Sequence, residues 1–128
     1  MENVLSIMDM LDWNMPPEIQ AEGRSLAKNV VSIVPFLQPL TPKHNKNVWE
    51  NCAIIISERN NESLEPYLLE LLEWLQDMNW PGASLISERL SKMPKDILRF
   101  AYKVSLEKAV QTKDDCWKHN LLVFWNEG

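Results

Sequence analysis

The segment ESLEPYLLELLEWLQDM, Glu62 to Met78, decides the fold class. Leu64, Tyr67, Leu68, Leu71, Leu72, Leu75 and Met78 recur at i, i+3, i+4 and i+7, so a helical rather than a two-residue period organises the stretch. Glu62, Glu65, Glu70, Glu73 and Asp77 take the positions around that stripe. Ser63 is the expected N-cap, with Pro66 in the first turn, where a missing N–H costs little. The helix should stop near Met78 or Asn79, ahead of Pro81.

The same period continues outward in both directions. Pro81 to about Met93 reads as a helix with Leu85, Ile86 and Leu90 inward. Pro94 opens another, carrying Ile97, Leu98, Ala101, Val104 and Val110. Asp114 or Asp115 can cap a last helix through Trp117, Leu121, Phe124 and Trp125. Toward the N-terminus, helices are expected over Glu2 to Asp12 and from Pro16 or Pro17 through Ile19, Leu26 and Val30. VSIVPFLQPL reads as a short apolar helix limited by Pro39 and Pro42. VWENCAIIIS reads as a helix with Trp49, Cys52, Ala53 and Ile56 on one stripe, although its β-branched run is compatible with a strand.

The two halves echo each other. DWNMP at Asp12–Pro16 matches DMNWP at Asp77–Pro81, with Trp and Met exchanged. IVPFL at Ile33–Leu37 parallels ILRFA at Ile97–Ala101, and Trp49 parallels Trp117, all at a nearly constant offset. Short helix pairs cannot bury their apolar stripes alone, but stacked pairs can. The expected fold is therefore all-α: one domain over 1–128, a HEAT-like αα-solenoid of about four stacked helix pairs in two internal repeats, about 1–60 and 61–128. An ordinary helical bundle with an accidental echo is the alternative.

In this frame D-x-N-x-P is a corner between helices. Asn14 and Asn79 are expected at left-handed C′ positions, and Pro16 and Pro81 at the first position of the next helix. Met15 or Trp80 would seal the core, and Asp12 and Asp77 would cap the following helix from across the turn. The competing reading makes Asp77 an acid or base beside a Trp80 platform. Duplication at symmetric corners favours architecture.

Composition narrows the function classes. With 128 residues, 45% of them hydrophobic, and a net charge of -5, the chain can build a core but is a poor default for nucleic acid. Cys52 and Cys116 form neither a disulfide framework nor a zinc pattern and are expected to be buried thiols. His44 reads as a loop residue and His119 as a helix-surface residue, neither at ligand spacing. No catalytic residue, metal ligand set or cofactor is assigned. The N-terminus lacks a basic n-region, no apolar run approaches membrane-spanning length, and the cytoplasm is the expected compartment.

Charge is segregated: Glu58 to Asp77 holds six acids and one Arg, whereas Glu88 to Lys118 holds eight bases and five acids. Lys92, Lys95, Arg99 and Lys103 would form a basic stripe along one helix. Either the acidic and basic helices are stacked neighbours, or the surface is bipolar and meets a charged protein. Trp74 falls off the Leu stripe and is a candidate partner contact or an inter-helix plug. These five residues are the candidate partner-binding set.

The spelling YLLELLEWLQDMNWPGA followed by DDCWKHNLL resembles a bacterial family, domain of unknown function 5071, over Tyr67 to Leu122. That family pairs an LLxWLQDMNWP segment with a downstream DDxWK segment. The resemblance implies a HEAT-like fold and relatives near toxin and immunity genes; it carries over no catalytic residue. In the N-terminal half, Pro17 and Glu18 replace Gly82 and Ala83. The expected function is a non-enzymatic protein-binding module, with an immunity protein masking a basic toxin domain as its specific form. The rivals are a nucleic-acid-acting protein of the DNA-glycosylase type and a self-associating structural subunit.

Overall fold

A computed structural model describes residues 3–127, which are mostly helical, with no strand among them. Eight α-helical segments follow in order: α1 Val4–Met10, α2 Pro17–Ala27, α3 Lys46–Ser57, α4 Asn61–Leu64, α5 Leu68–Glu73, α6 Ala83–Ser91, α7 Lys95–Gln111 and α8 Asp115–Glu127. Single 3-10 turns occupy Val34–Phe36, Glu65–Tyr67 and Trp74–Gln76. The helix expected to start at Glu2 begins at Val4, and Glu2 lies outside the described residues.

The decisive segment is helical but interrupted. Asn60, not Ser63, is the N-cap, accepting from the Ser63 N–H at 2.9 Å. The helix therefore starts early enough that Pro66 falls beyond the first turn. There its ring meets the preceding turn and its missing N–H breaks the ladder, so Glu65–Tyr67 tightens to a 3-10 turn. A second 3-10 turn, Trp74–Gln76, ends the run. Leu64, Leu68, Leu71, Leu72 and Leu75 are buried as the period requires, and Tyr67 and Met78 pack at the core's edge.

VSIVPFLQPL forms one 3-10 turn rather than a helix. Pro35, Pro39 and Pro42 each remove a backbone donor within a few residues. Ile33 and Phe36 are nonetheless buried. The ambiguous Ile54–Ile56 run is helical, as part of α3, with Trp49, Cys52, Ala53 and Ile56 in the core. On α7, Leu98, Ala101, Tyr102, Ser105 and Ala109 face inward, while Val110 is exposed against expectation. Asp114 caps α8 by accepting from the Trp117 N–H at 2.9 Å.

Contacts run α1 to α2, α2 to α3 and α3 to α6 on one side, and α5 to α7 and α7 to α8 on the other. Helix α3 joins the two groups through a tryptophan cluster. Trp49 meets Trp74 and Trp80 edge-on, with ring centroids 6.2 and 5.5 Å apart, an arrangement suited to the aromatic quadrupole. Gly82 makes that approach possible: it has a φ of 85° and lies directly beneath Ala53 and the Trp49 carbonyl.

Candidate functional site

Both D-x-N-x-P stretches are corners of one local design. Asp12 Oδ1 accepts from the Asn14 N–H at 2.9 Å, and the Met15 N–H donates to the Asp12 carbonyl at 2.9 Å. Asp77 repeats both bonds, with Asn79 at 2.8 Å and Trp80 at 3.0 Å. Each aspartate thus closes an Asx-turn inside its own corner.

Four details of the expected corner are corrected. The aspartates do not cap the next helix. The start of α2 has no side-chain cap bond, and at the second corner the Gly82 N–H is taken by Glu50 Oε1 of α3 at 2.8 Å. Asn14 and Asn79 are not left-handed; an i to i+3 turn does not require it, and among the described residues only Gln38, Lys113 and Gly82 have positive φ. Pro16 is the N-cap of α2 with Pro17 at the first position, and Pro81 is followed by Gly82 as the N-cap of α6. Trp80 does pack inward on Trp49, whereas Met15 is 39% exposed.

Each corner is stitched to a later helix. Asn51 Nδ2 of α3 donates to the Leu11 carbonyl at 2.7 Å, and Asn120 Nδ2 of α8 donates to the Leu75 carbonyl at 2.8 Å. Asn47 Nδ2 adds a bond to Asp12 Oδ2 at 3.0 Å. The two tryptophans anchor differently: Trp49 Nε1 donates to the Pro39 carbonyl of the preceding loop at 2.9 Å, and Trp117 Nε1 to the Leu72 carbonyl of α5 at 3.1 Å. The IVPFL and ILRFA stretches do not correspond, since Phe36 is buried in a 3-10 turn and Phe100 is exposed on α7.

Trp74 is not a surface contact. It is fully buried and its Nε1 donates to the Pro81 carbonyl at 3.0 Å, which is the inter-helix plug. The basic stripe is also divided. Lys92 is the C-cap of α6, 3.8 Å from Glu88, because Pro94 separates it from α7. Lys95 Nζ donates to the Trp125 carbonyl at 2.8 Å and lies 4.8 Å from the Trp125 ring centroid, so it is committed to the end of α8. Arg99 and Lys103 remain on the exposed face of α7, with no ion pair to either among the described residues.

That face carries a residue which helical periodicity did not single out. Phe100 is 77% exposed, beside Arg99 and one turn before Lys103. Across from it, Pro66 and Leu69 form the other wall of a shallow groove whose α7 side is Ile97 and Phe100. Glu65 also lines it on the α4–α5 side, and Glu62 and Glu70 are exposed on the same two helices. The acidic and basic helices are indeed packed neighbours, α5 against α7, yet no ion pair joins them among the described residues. The groove can take up an apolar side chain.

Two readings of single residues also change. His44 is buried, and its Nε2 lies 2.7 Å from Asp9 Oδ1, with Lys43 Nζ at 3.0 Å from the same oxygen. Hydrogen bonds from His44 and then Lys43 hold the Asp9 carboxyl below its ordinary range, against a smaller desolvation effect. Cys52 is buried and its thiol is pushed up by burial, but Cys116 is exposed. Among the described residues, no group of three or more His, Cys, Asp or Glu is placed to hold a metal ion, and no helix is long and apolar enough to cross a membrane.

A family model described as Domain of unknown function (DUF5071) matches residues 40–127. The match takes in α3 through α8 and leaves out α1, α2 and the first corner. No curated protein and no solved structure matches the chain.

Proposed function

We propose that this chain, which belongs to the DUF5071 family, is a non-enzymatic protein-binding module whose docking surface is the groove between α4–α5 and α7. The observation that carries this reading is Phe100, 77% exposed in the first half of α7. A large aromatic there has apolar walls beside it and Glu65 at the edge, the arrangement of an interface anchor. The fold reading that accompanies it is a HEAT-like stack of helix pairs in two repeats. Its support is the shared Asx-turn and the asparagine bond that each corner receives from a later helix. A single 3-10 turn where the second half has the 17-residue α7 is its main departure.

An immunity protein is the specific form we favour. Glu65 at the groove edge would face the basic surface of a toxin domain, and Phe100 would anchor it. Affinity capture from the native host tests the reading, with wild type and Phe100→Glu as parallel baits. A protein retained by wild type and lost from the variant is expected. Equal retention by both baits, or no reproducible protein on wild type, would sink it.

A further inference from the structure

We infer that α1 and α2 form a lid that swings off α3 as one unit while the rest of the chain stays folded. Helix α3 has two unlike faces. Toward α6 it is sealed by apolar contacts: Trp49 against Trp74 and Trp80, and Ala53 against Gly82. Toward the lid its ties are polar. Asn51, 4% exposed, holds both lid helices at once. Its Nδ2 donates to the Leu11 carbonyl at 2.7 Å and to Gln20 Oε1 at 2.9 Å, and its Oδ1 accepts from Arg24 Nη1 at 2.6 Å. One turn earlier on α3, the Asn47 carbonyl accepts from the Trp13 N–H at 2.9 Å, beside the bond from Asn47 to Asp12. Asp9, near the end of α1, is held by His44.

The two seams differ in what opening costs. Parting apolar faces exposes them to water, and nothing replaces the lost contact. Parting hydrogen-bonded groups returns them to water, which bonds them again, so each tie resists opening by much less than its gross strength. The lid's buried apolar residues are Ile7, Met8, Leu11 and Ala27, and Leu11 lies against Gly23 within the lid itself. Because α1 packs on α2, the two helices leave together rather than unwinding from the N-terminus.

The chain also supplies a hinge. Lys28, Asn29, Val31 and Ser32 are exposed, Val31 by 91%, and Ile33 and Phe36 return the chain to the core. Arg59 marks the pivot: its Nη1 donates to the Val31 carbonyl at 3.0 Å, and its Nη2 to the Val30 and Ala27 carbonyls at 2.7 and 3.1 Å. The stretch that matches the family, residues 40–127, lies wholly on the side that stays folded.

Hydrogen exchange of the full chain, read by mass spectrometry across a series of sub-denaturing urea concentrations, tests the lid. The hydrogen-bonded amides of α1 and α2 should share one opening free energy and one urea dependence. They should exchange about tenfold or more faster than those of α7 once intrinsic rates are removed. Asn51→Ala removes three bonds between α3 and the lid, and should speed α1 and α2 together by about tenfold or more. Trp117→Phe removes a bond between α8 and α5, which the open lid leaves intact. It should speed exchange in α7 and leave α1 and α2 unchanged. A wild type in which α1, α2 and α7 open with one shared free energy overturns the inference. Graded, urea-independent exchange in α1, with α2 protected like α7, also overturns it, since that is fraying of the terminus. A Trp117→Phe chain in which α1 and α2 speed up as much as α7 does so too. The wild-type series and Trp117→Phe decide the matter even where Asn51→Ala does not fold.

Discussion

Gly82→Ala should be the most damaging single-methyl change in the molecule. A Cβ built there would lie 2.6 Å from Ala53 Cβ, 2.9 Å from the Trp49 carbonyl oxygen and 3.1 Å from Trp74 Cζ2. None of these neighbours can retreat cheaply. The first two belong to α3, and Trp74 is held by its bond to the Pro81 carbonyl. The backbone is also left-handed, with φ at 85°, which costs an L-residue about 1–2 kcal/mol. Overpacking adds about 1–3 kcal/mol. The sum, about 2–5 kcal/mol, is a large share of the roughly 5–15 kcal/mol that holds a domain folded. At this size it lowers Tm by about 10–20 °C. Urea unfolding followed by circular dichroism and by tryptophan fluorescence measures it. Adding Ala53→Gly removes the shortest contact but neither the strain nor the Trp49 overlap, so the pair should couple favourably by about 1 kcal/mol. Gly23→Ala is the contrast. Its Cβ meets Met10 Cβ at 2.8 Å, but alanine in a helix gains about 1 kcal/mol over glycine. A Gly82→Ala protein as stable as wild type, or less affected than Gly23→Ala, would refute the reasoning.

Asp77→Ala removes one Asx-turn bond and should cost about 1 kcal/mol, whereas Asp12→Ala also removes one of the two acceptors of Asn47 Nδ2 and should cost measurably more by urea titration. Trp117→Phe removes a buried hydrogen bond to the Leu72 carbonyl, which still accepts from the Trp74 N–H, and should destabilise by about 1 kcal/mol beyond its small cavity. Asp9 gives a pH dependence. Its folded pKa is depressed below the ordinary 3.8, so its stabilising effect is complete above that value and declines as pH falls through the lower folded one. Asp9→Asn should therefore lose stability at neutral pH and show a flatter acid limb; an unchanged acid limb would remove Asp9 from the account.

Much of the helical architecture was legible in the chain because its causes are local. A 3.6-residue period placed Leu64, Leu68, Leu71, Leu72 and Leu75 on one buried face. The repeated D-x-N-x-P announced two equivalent turns because an Asx-turn needs only residues two and three apart. The family spelling around DMNWP and DDCWK also held, and the family match extends it back to residue 40.

What periodicity could not supply was the partner of each helix face. Trp74 looked off-stripe because a stripe describes one contact, and this residue is enclosed by α3 and the corner as well. His44 is buried by an aspartate 35 residues away, and the α6 N-terminus is capped by a glutamate 32 residues away. Phe100 is exposed because α7 turns its opposite face to α5 and α8. Local spacing determines which side chains share a face and where the chain must turn. Which face is covered, and by what, depends on how whole helices stack, so only the tertiary structure decided that Trp74 is core and Phe100 is surface.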